Sequence, residues 1–235
     1  MVVVIHTNLS LENQPRNAAW LAEGFAARGI EAEITADRKK AADIHIVQGP
    51  HYCLECWQPR ASEARVLLLD RCFYWDAKDN VSLGWLNPDG SRDFRHKGKH
   101  GPKGKAPVIA PLKTYRGSCV VFGDYGRPGQ KDINEARKVH PRVYWRPHPA
   151  DRQPVKALIL NGDLAGVWAL CDTAIGHSST VLVDAVLNGL HTTSTDPRHV
   201  IAGVEHDRER WAAQLTWCQW NCEELKRGDF VEHLL

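Results

Sequence analysis

The chain has no apolar run long enough to cross a membrane. Its longest runs, such as Val181-Leu182-Val183 before Asp184, fall far short of the roughly 20 residues that a membrane-spanning helix needs. The apolar start, residues 1–5, has no basic residue before it and polar residues directly after it, which indicates a first strand and not a signal peptide. The seven cysteines are odd in number and scattered, so they indicate no disulfide framework and fit a reducing compartment. We therefore expect a cytoplasmic protein, and 43% hydrophobic residues in a chain of 235 are enough for a sizeable core.

The chain also has little excess charge of either sign, because its net charge is only +2. Attraction to a polyanion must therefore come from a local cluster. One cluster occupies the Gly-rich stretch 92–105, where a single acid, Asp93, opposes several basic residues. The basic residues of this stretch that we take as candidates are Arg92, Arg95, Lys97, Lys99, Lys103 and Lys105. The stretch predicts either a solvated loop or a surface that contacts a polyanion such as DNA.

Several motifs of nucleotide, hydrolase and metal sites are missing. The chain has no Gly-x-x-x-x-Gly-Lys phosphate loop, no complete G-x-G-x-x-G fingerprint and no G-x-S-x-G elbow. Cys53 and Cys56, with His51 nearby, offer up to three zinc ligands but no convincing second pair, since Cys218 and Cys222 have helical spacing. We therefore expect free thiols and no metal site.

The sequence does contain a repeated alternation of short apolar runs and helix-like segments. In the first 70 residues this alternation predicts a helix at 15–28, where apolar residues follow helical spacing. The strands predicted there are 2–6, 32–35, 44–48 and 66–70. Residues 71–115 are rich in Gly, Pro, Lys and Arg and predict a loop-rich insertion. Beyond it the predicted strands are 119–122, 142–145, 157–160, 173–175 and 191–194, and the predicted helices are 130–139, 164–171, 180–188, 205–215 and 223–235.

Two successive βαβ regions of about a hundred residues each predict an α/β fold with two small Rossmann-like lobes and a cleft between them. We assign residues 1–115, which include the basic insertion 71–115, to the first lobe and residues 116–220 to the second lobe. Residues 221–235 are expected to form a helix that packs back on the first lobe. A single doubly wound sheet is an alternative, because each lobe would be small.

Two short motifs each follow a predicted strand of the second region. In a parallel sheet both would lie at the edge where ligands bind. In the first motif, Arg146 and His148 alternate with Pro147 and Pro149, which fix an extended turn and aim both side chains. His148 could hydrogen-bond a phosphate oxygen as the neutral ring or neutralise it as imidazolium, since its ordinary pKa is near 6.5. The alternative is a buried histidine that bonds to a backbone carbonyl.

The second motif places a row of hydroxyls, Ser178, Ser179 and Thr180, at a predicted helix start after His177. Capping a helix takes one hydroxyl, so two are left over. A helix start also carries unpaired N–H groups and partial positive charge, which favour an anion such as phosphate. Asp184, one turn further on, could accept hydrogen bonds from ribose hydroxyls. The alternative is a capped helix with solvent-facing hydroxyls and an acid that favours the helix dipole.

The run from Arg146 to Pro149 and the later run from Ser178 to Gly189 resemble the His-Pro and double-Ser motifs of bacterial capsule glycosyltransferases. That group includes the Kdo transferases and the polysialyltransferases, and the motifs lie in its nucleotide-sugar lobe. The resemblance implies a GT-B fold with two facing lobes, a nucleotide-sugar donor, and contacts of His148, Ser178 and Ser179 with the donor phosphate. Many GT-B enzymes bind ribose through a Glu-Ala pair in the next helix, and Asp184-Ala185 stands in its place here.

The predicted donor site therefore comprises Arg146, His148, His177, Ser178, Ser179, Thr180 and Asp184. We expect no cofactor beyond the nucleotide-sugar substrate, and the absence of any Asp-x-Asp pair argues against the metal-dependent glycosyltransferases.

An inverting transfer needs a group that takes the proton of the acceptor hydroxyl, and we expect this catalytic base on the first lobe, facing His148. Asp70, at a predicted strand end, is the first candidate; His51, Asp76 and Asp89 are its rivals. The predicted acceptor is a hydroxymethylpyrimidine in DNA, as in phage genomes, or a bacterial surface glycan. Two other functions stay open: a nucleotide-binding module without catalysis, and a nucleic-acid-binding protein.

Overall fold

The structure is a computed structural model and describes most of the chain. The described residues are 1–8, 13–48, 54–71, 79–94, 102–124, 127, 129–150, 154–202, 204 and 207–235. They form two compact units, which we call the first lobe (residues 1–105 and 213–235) and the second lobe (residues 106–212). Each lobe has its own sheet with helices packed on it, so the predicted α/β fold of two Rossmann-like lobes is confirmed and the single-sheet alternative is wrong.

The elements follow one another in a largely alternating order. Residues 1–105 form β1 (Val3–His6), α1 (Asn13–Ala27), β2 (Ala32–Thr35), β3 (Ile44–Gln48), α2 (Leu54–Trp57), β4 (Arg65–Arg71), β5 (Asn80–Leu86) and β6 (Arg92–Asp93). The next elements are β7 (Ser118–Phe122), α3 (Gln130–Val139), β8 (Arg142–Arg146), β9 (Leu158–Ile159), α4 (Leu164–Leu170), β10 (Thr173–Gly176), α5 (Val181–Leu187), β11 (His191–Ser194) and α6 (Arg208–Leu215). The chain continues with β12 (Gln219–Asn221), α7 (Cys222–Arg227) and α8 (Asp229–Leu234).

The first lobe has a seven-stranded sheet in the order β12-β5-β4-β3-β1-β2, with β6 paired to β5. Strands β2, β1, β3 and β4 are parallel, whereas β5, β6 and β12 are antiparallel to their neighbours. The predicted helix is confirmed as α1, which buries Ala18, Leu21 and Phe25 against alternate residues of the parallel strands. The inner parallel strands β1 and β3 are buried along their whole length, which explains their apolar character, whereas β2 at the sheet edge is partly exposed.

Strand β5 lies within residues 71–115, whose composition predicts a loop-rich insertion, so this part of the prediction is wrong. Ser82 and Gly84 interrupt its apolar pattern, yet both are buried. A Cβ atom at Gly84 would stand only 2.5 Å from the ring of Phe94, so the strand and the ring pack closely because glycine has no side chain.

The last residues of the chain belong to the first lobe. Strand β12 pairs with β5, and α7 packs on α1. A Cβ atom at Gly24 of α1 would lie 1.9 Å from the carbonyl oxygen of Leu225, so the absence of a side chain at Gly24 allows this close helix contact. Helix α7 begins with a capping box formed by Asn221 and Glu224 and ends at Gly228, whose φ is +73°.

The second lobe has a five-stranded parallel sheet in the order β11-β10-β7-β8-β9. Its central strand, β7, is buried along its whole length. Because β8 and β10 flank β7, the segments that follow these three strands start at one edge of the sheet. Over the described part of the chain, no helix combines the length and the apolar character that crossing a bilayer requires.

Candidate functional site

The two sequence motifs follow strands that flank the centre of the second-lobe sheet. Phe122 ends β7 and pairs with Arg146 at the end of β8, and Ile175 of β10 pairs with Val121 of β7. Gly176, at the end of β10, is therefore level with Phe122. With about 4.8 Å between neighbouring strands, the ends of β8 and β10 lie about 10 Å apart. The motifs thus begin on either side of the segment that follows β7.

The first motif continues β8 as an extended turn. The Arg146 guanidinium donates to the carbonyl of Gly162 at 2.8 Å, and the backbone carbonyl of Arg146 accepts from the N–H of Gly123 at 2.9 Å. Nδ1 of His148 accepts from the N–H of Ala150 at 3.2 Å. Because Nδ1 is an acceptor in this contact, the neutral ring carries its proton on Nε2.

The segment Gly123-Asp124, which follows β7, contacts both motifs, and Asp124 contacts the second of them. Its carboxylate accepts from the N–H of His177 at 3.0 Å and from the N–H and the hydroxyl of Ser178, each at 3.2 Å. Gly123, the residue before it, approaches the other motif so closely that a Cβ atom there would stand 2.9 Å from the backbone nitrogen of His148. Asp124 is not among the residues predicted from the sequence, although an acid directly after a central apolar strand is a signal that could have indicated it.

A second support holds the Ser-Ser-Thr motif from the side of β11. The imidazole Nδ1 of His177 lies 3.0 Å from the hydroxyl of Thr195, and the hydroxyl of Ser194 donates to the carbonyl of His177. His177 is therefore anchored at both its backbone groups and its ring, and its contacts are those of a residue that shapes the loop.

The hydroxyls of Ser179 and Thr180 differ from that of Ser178. Neither makes a hydrogen bond with any residue that the structure describes, and both residues are half-buried. Thr180 is the N-cap of α5 without a side-chain capping bond, and α5 has only 7 residues. Asp124 occupies the N–H groups of His177 and Ser178 and the Ser178 hydroxyl, so among the described residues the hydroxyls of this motif without such a contact are those of Ser179 and Thr180.

Asp184 lies in the first turn of α5, next to the buried residues Val183 and Ala185. Burial raises the pKa of its carboxyl to about 6. Carboxyl groups with a strongly raised pKa occur often at functional sites, which makes Asp184 a candidate. The segments that follow β8 and β10 at this edge therefore carry His148 on one side and Ser179 and Thr180 on the other, with Asp184 in the first turn of α5. Imidazole and hydroxyl groups can donate to phosphate oxygens, and a carboxylate can accept from sugar hydroxyls.

The first-lobe candidates for a catalytic base lie in different surroundings. Asp70 is half-buried at the carboxyl end of β4, opposite Ser82 of β5. Asp89 belongs to the turn between β5 and β6, where its carboxylate accepts from the N–H of Ser91 at 2.8 Å and from its hydroxyl at 2.6 Å. His51 and Asp76 lie outside the described residues.

The candidate residues of the basic stretch are not equivalent. Lys103 packs into the first lobe, where its ammonium lies 3.5 Å from the centre of the Trp220 ring and 3.3 Å from the Glu224 carboxylate. Burial lowers its pKa, although Glu224 opposes this effect. Arg92 is half-buried in β6, Lys105 is exposed, and Arg95, Lys97 and Lys99 lie outside the described residues.

Among the residues that the structure describes, no three His, Cys, Asp or Glu side chains are placed so that they could hold a metal ion. Of the predicted zinc candidates, Cys53 and His51 lie outside the described residues, and Cys56 is exposed and free. Burial raises the pKa of the Cys119 thiol to about 12 and that of Cys171 to about 11, which makes both of them unreactive core residues.

Two α/β lobes with parallel strands, and a polar site at the carboxyl edge of one of them, are features of the GT-B class of folds. A solved structure that shares this fold is that of KpsC from Thermosulfurimonas dismutans, a beta Kdo 2,7 transferase. The two structures superpose with a TM-score of 0.54 over 98% of this chain and 99% of that chain, at 11% sequence identity. At this identity the likeness establishes the fold and not the site. No family model and no curated protein sequence matches the chain.

Proposed function

We propose that the chain is a glycosyltransferase that moves a sugar from a nucleotide-sugar donor to a hydroxyl group of a glycan acceptor. The observation that carries this proposal is the edge of the second-lobe sheet, where Gly123 and Asp124 connect the His148 turn to the Ser178 loop. The shared fold with a Kdo transferase over nearly the whole of both chains supports it independently.

In this proposal the donor phosphate binds to Nε2–H of His148 and to the hydroxyls of Ser179 and Thr180. Arg146 adds positive charge, and Asp184 accepts from the ribose hydroxyls. As the bond between the sugar and the phosphate oxygen breaks, negative charge grows on that oxygen, and a donor held in place stabilises it more than water would. No metal is part of the proposed mechanism, and transfer is expected to continue in the presence of a chelator.

The acceptor hydroxyl loses its proton as it attacks the sugar, and Asp70 is the proposed base of the first lobe. We favour a glycan over DNA as acceptor because of Lys103, one of the candidate contacts to a polyanion. Its ammonium packs on Trp220 and Glu224 within the first lobe, where it does not face a DNA backbone. An assay with hydroxymethylated DNA as a parallel acceptor tests this choice.

The proposal is tested by measuring nucleotide release and sugar transfer by mass spectrometry with a panel of CMP-, UDP- and GDP-linked sugars. His148→Ala is expected to lower transfer about 100-fold or more, the effect typical of losing one preorganised donor to a developing charge. His140→Ala is the matched control, because His140 lies before β8 at the opposite edge of the same sheet.

Full turnover by His148→Ala would exclude His148 from the site. Tight binding of a nucleotide sugar without any transfer would indicate a binding module without catalysis. Salt-sensitive binding of DNA, with no affinity for nucleotide sugars, would indicate a nucleic-acid-binding protein.

A further inference from the structure

The segment that follows β11 brings an arginine close to the Ser-Ser-Thr motif. The hydroxyl of Ser194 donates to the carbonyl of His177 and accepts from the N–H of Asp196 at 3.0 Å. The N–H of Thr195 donates to the carbonyl of Gly176 at 2.8 Å. Because each hydrogen bond spans about 3 Å, the backbone nitrogen of Asp196 lies within about 6 Å of the His177 carbonyl oxygen, one residue before the motif.

The arginine of this segment is Arg198, and the carboxylate of Asp196 holds it in place. One carboxylate oxygen, Oδ1, accepts from the backbone N–H of Arg198 at 3.0 Å and from its side-chain Nε at 3.1 Å. Asp196 is only 2% exposed, whereas the side chain of Arg198 is 40% exposed. The guanidinium is therefore fixed at its Nε by a buried charge, while part of the side chain reaches solvent.

The geometry of this ion pair leaves the two terminal nitrogens of Arg198 uncommitted. Nη1 and Nη2 make no hydrogen bond with any residue that the structure describes. The pair of Arg127 with Asp132 in the same lobe is different, because there Nη1 and Nη2 donate to the two carboxylate oxygens at 2.6 and 3.2 Å. Such a forked contact neutralises a buried carboxylate fully, whereas Arg198 uses Nε alone and keeps its fork free.

A free guanidinium fork is suited to groups that present two oxygens side by side, such as carboxylate and phosphate. The neighbouring loop favours phosphate, because the hydroxyls of Ser179 and Thr180 can donate to phosphate oxygens. Strand β11 lies next to β10 on the side away from β7 and β8. Arg198 therefore lies on the opposite side of this loop from His148, so an anion at the loop could receive donors from both sides.

We propose that Arg198 binds a phosphate group of the nucleotide-sugar donor and that Asp196 positions its guanidinium. The identity of this phosphate as that of a sugar donor rests on the proposed function, whereas the contact with a nucleotide phosphate rests on the geometry of Arg198. The contact adds a positive charge that does not depend on pH in the physiological range, in contrast to the charge of an imidazole.

Arg198→Gln and Arg198→Lys test this assignment. Calorimetry with the full chain measures the Kd of CMP, UDP and GDP. Saturation-transfer NMR measures the binding of cytidine, uridine and guanosine, which lack the phosphate. Arg198→Gln loses a hydrogen-bonded contact between charged groups, so the Kd of the bound nucleotide is expected to rise about tenfold to hundredfold. Binding of the matching nucleoside is expected to stay unchanged.

Two further variants define the contact. Arg198→Lys keeps the charge and loses the fork, so its Kd for the nucleotide is expected to lie between those of the wild type and Arg198→Gln. Arg142→Gln is the matched control, because Arg142 is exposed at the start of β8, at the opposite edge of the same sheet. It is expected to bind the nucleotide as the wild type does.

An unchanged nucleotide Kd in Arg198→Gln would overturn the assignment. An equal loss of nucleotide and nucleoside affinity would overturn it as well, because it would show that Arg198 only supports the structure of the loop.

Turnover distinguishes this inference from the proposed function. Nucleotide affinity that does not depend on Arg198, in a protein that transfers sugar, would refute the phosphate contact and keep the glycosyltransferase. Nucleotide affinity that depends on Arg198, in a protein that transfers no sugar from any donor, would support the phosphate contact and refute the glycosyltransferase. A wild-type protein that binds none of the three nucleotides would refute both.

Discussion

Asp184→Asn tests whether the Asp184 carboxylate lowers the stability of the fold and binds the nucleotide. Burial raises the pKa of the Asp184 carboxyl from 3.8 to about 6, so the folded protein binds this proton more tightly than the unfolded chain does. The carboxyl therefore favours the folded state below pH 3.8, and this advantage is lost as the pH rises through 6. Asparagine has nearly the same shape and stays neutral at every pH.

The difference between the two pKa values, 3.8 and about 6, corresponds to ~3 kcal/mol in the free energy of unfolding, at ~1.4 kcal/mol per pH unit. The position of Asp184 in the first turn of α5 offsets part of this, because a negative charge near a helix start is favourable by about 0.3–1 kcal/mol. At pH 8 we therefore expect Asp184→Asn to be about 2 kcal/mol more stable than the wild type. At pH 4 the two proteins are expected to differ little.

The same substitution is expected to weaken nucleotide binding, because an amide offers one acceptor where the carboxylate offers two. Hydrogen bonds to a charged group contribute about 1.5–3 kcal/mol, so the Kd for the nucleotide is expected to rise at least about tenfold. Guanidinium denaturation at pH 4 and pH 8 measures stability, and calorimetry measures binding. Asp163→Asn is the control, since Asp163 caps α4 in the same lobe and asparagine caps helices equally well.

Equal stability of Asp184→Asn and the wild type at pH 8, together with unchanged nucleotide affinity, would refute this reasoning. Greater stability without a loss of affinity would confirm the buried charge and exclude Asp184 from the ribose contact.

Two further predictions concern packing and acidity. In the first lobe, burial lowers the pKa of His6 to about 4, with further contributions from His45, whose Nδ1 lies 3.0 Å from Nε2 of His6, and from a nearby arginine. A lowered pKa favours the folded state above pH 6.5, and this contribution is lost as the pH falls through 4. Hydrogen exchange in β1 is therefore expected to show that the free energy of unfolding falls by ~3 kcal/mol over that range. In His6→Gln the free energy of unfolding is expected to fall less. In the second lobe, a Cβ atom at Gly129 would lie 2.1 Å from the ring of Trp145, so thermal unfolding is expected to show that Gly129→Ala costs about 1–3 kcal/mol. Gly166→Ala, on an exposed helix, is its control: a Cβ atom there would lie 3.2 Å from a single atom, the Asp163 carboxylate oxygen, which is on a flexible side chain. Gly166→Ala is expected to cost far less than Gly129→Ala, and an equal loss in both would contradict the steric argument.

The elements that could be predicted from the sequence are those whose own residues determine them. Helix α1 has an apolar stripe at helical spacing, and β1, β3 and β7 are apolar runs bounded by turn residues. Strand β5 could not be predicted in this way. Its buried Gly84 is explained by the Phe94 ring, and its position in the sheet depends on pairing with β4 and β12. Such partners are distant in the sequence and leave no local pattern.

In the candidate site, too, some residues could be predicted from a local sequence pattern and others could not. The prolines around His148 and the hydroxyls of Ser179 and Thr180 are visible in the sequence because each motif is continuous. Asp124 acts on a loop more than fifty residues away, because β7 and β10 are neighbours in the sheet. Lys103 shows the opposite case, since its charge suggested a solvent-facing contact and its position over Trp220 became clear only from the structure.

The order of the two lobes along the chain has a consequence for synthesis in the cell. The second lobe is one continuous segment, whereas the first lobe needs β12 to pair with β5, as in the contact of Gln219 with Ser82. A ribosome therefore releases every part of the second lobe before it releases the strand that completes the first sheet. Until then residues 80–82 of β5 lack their native partner on the side away from β4, and pairings between residues so far apart form slowly. In a nascent chain the second lobe can therefore fold before the sheet of the first lobe is complete. This is the reverse of the usual order, in which the N-terminal domain folds first.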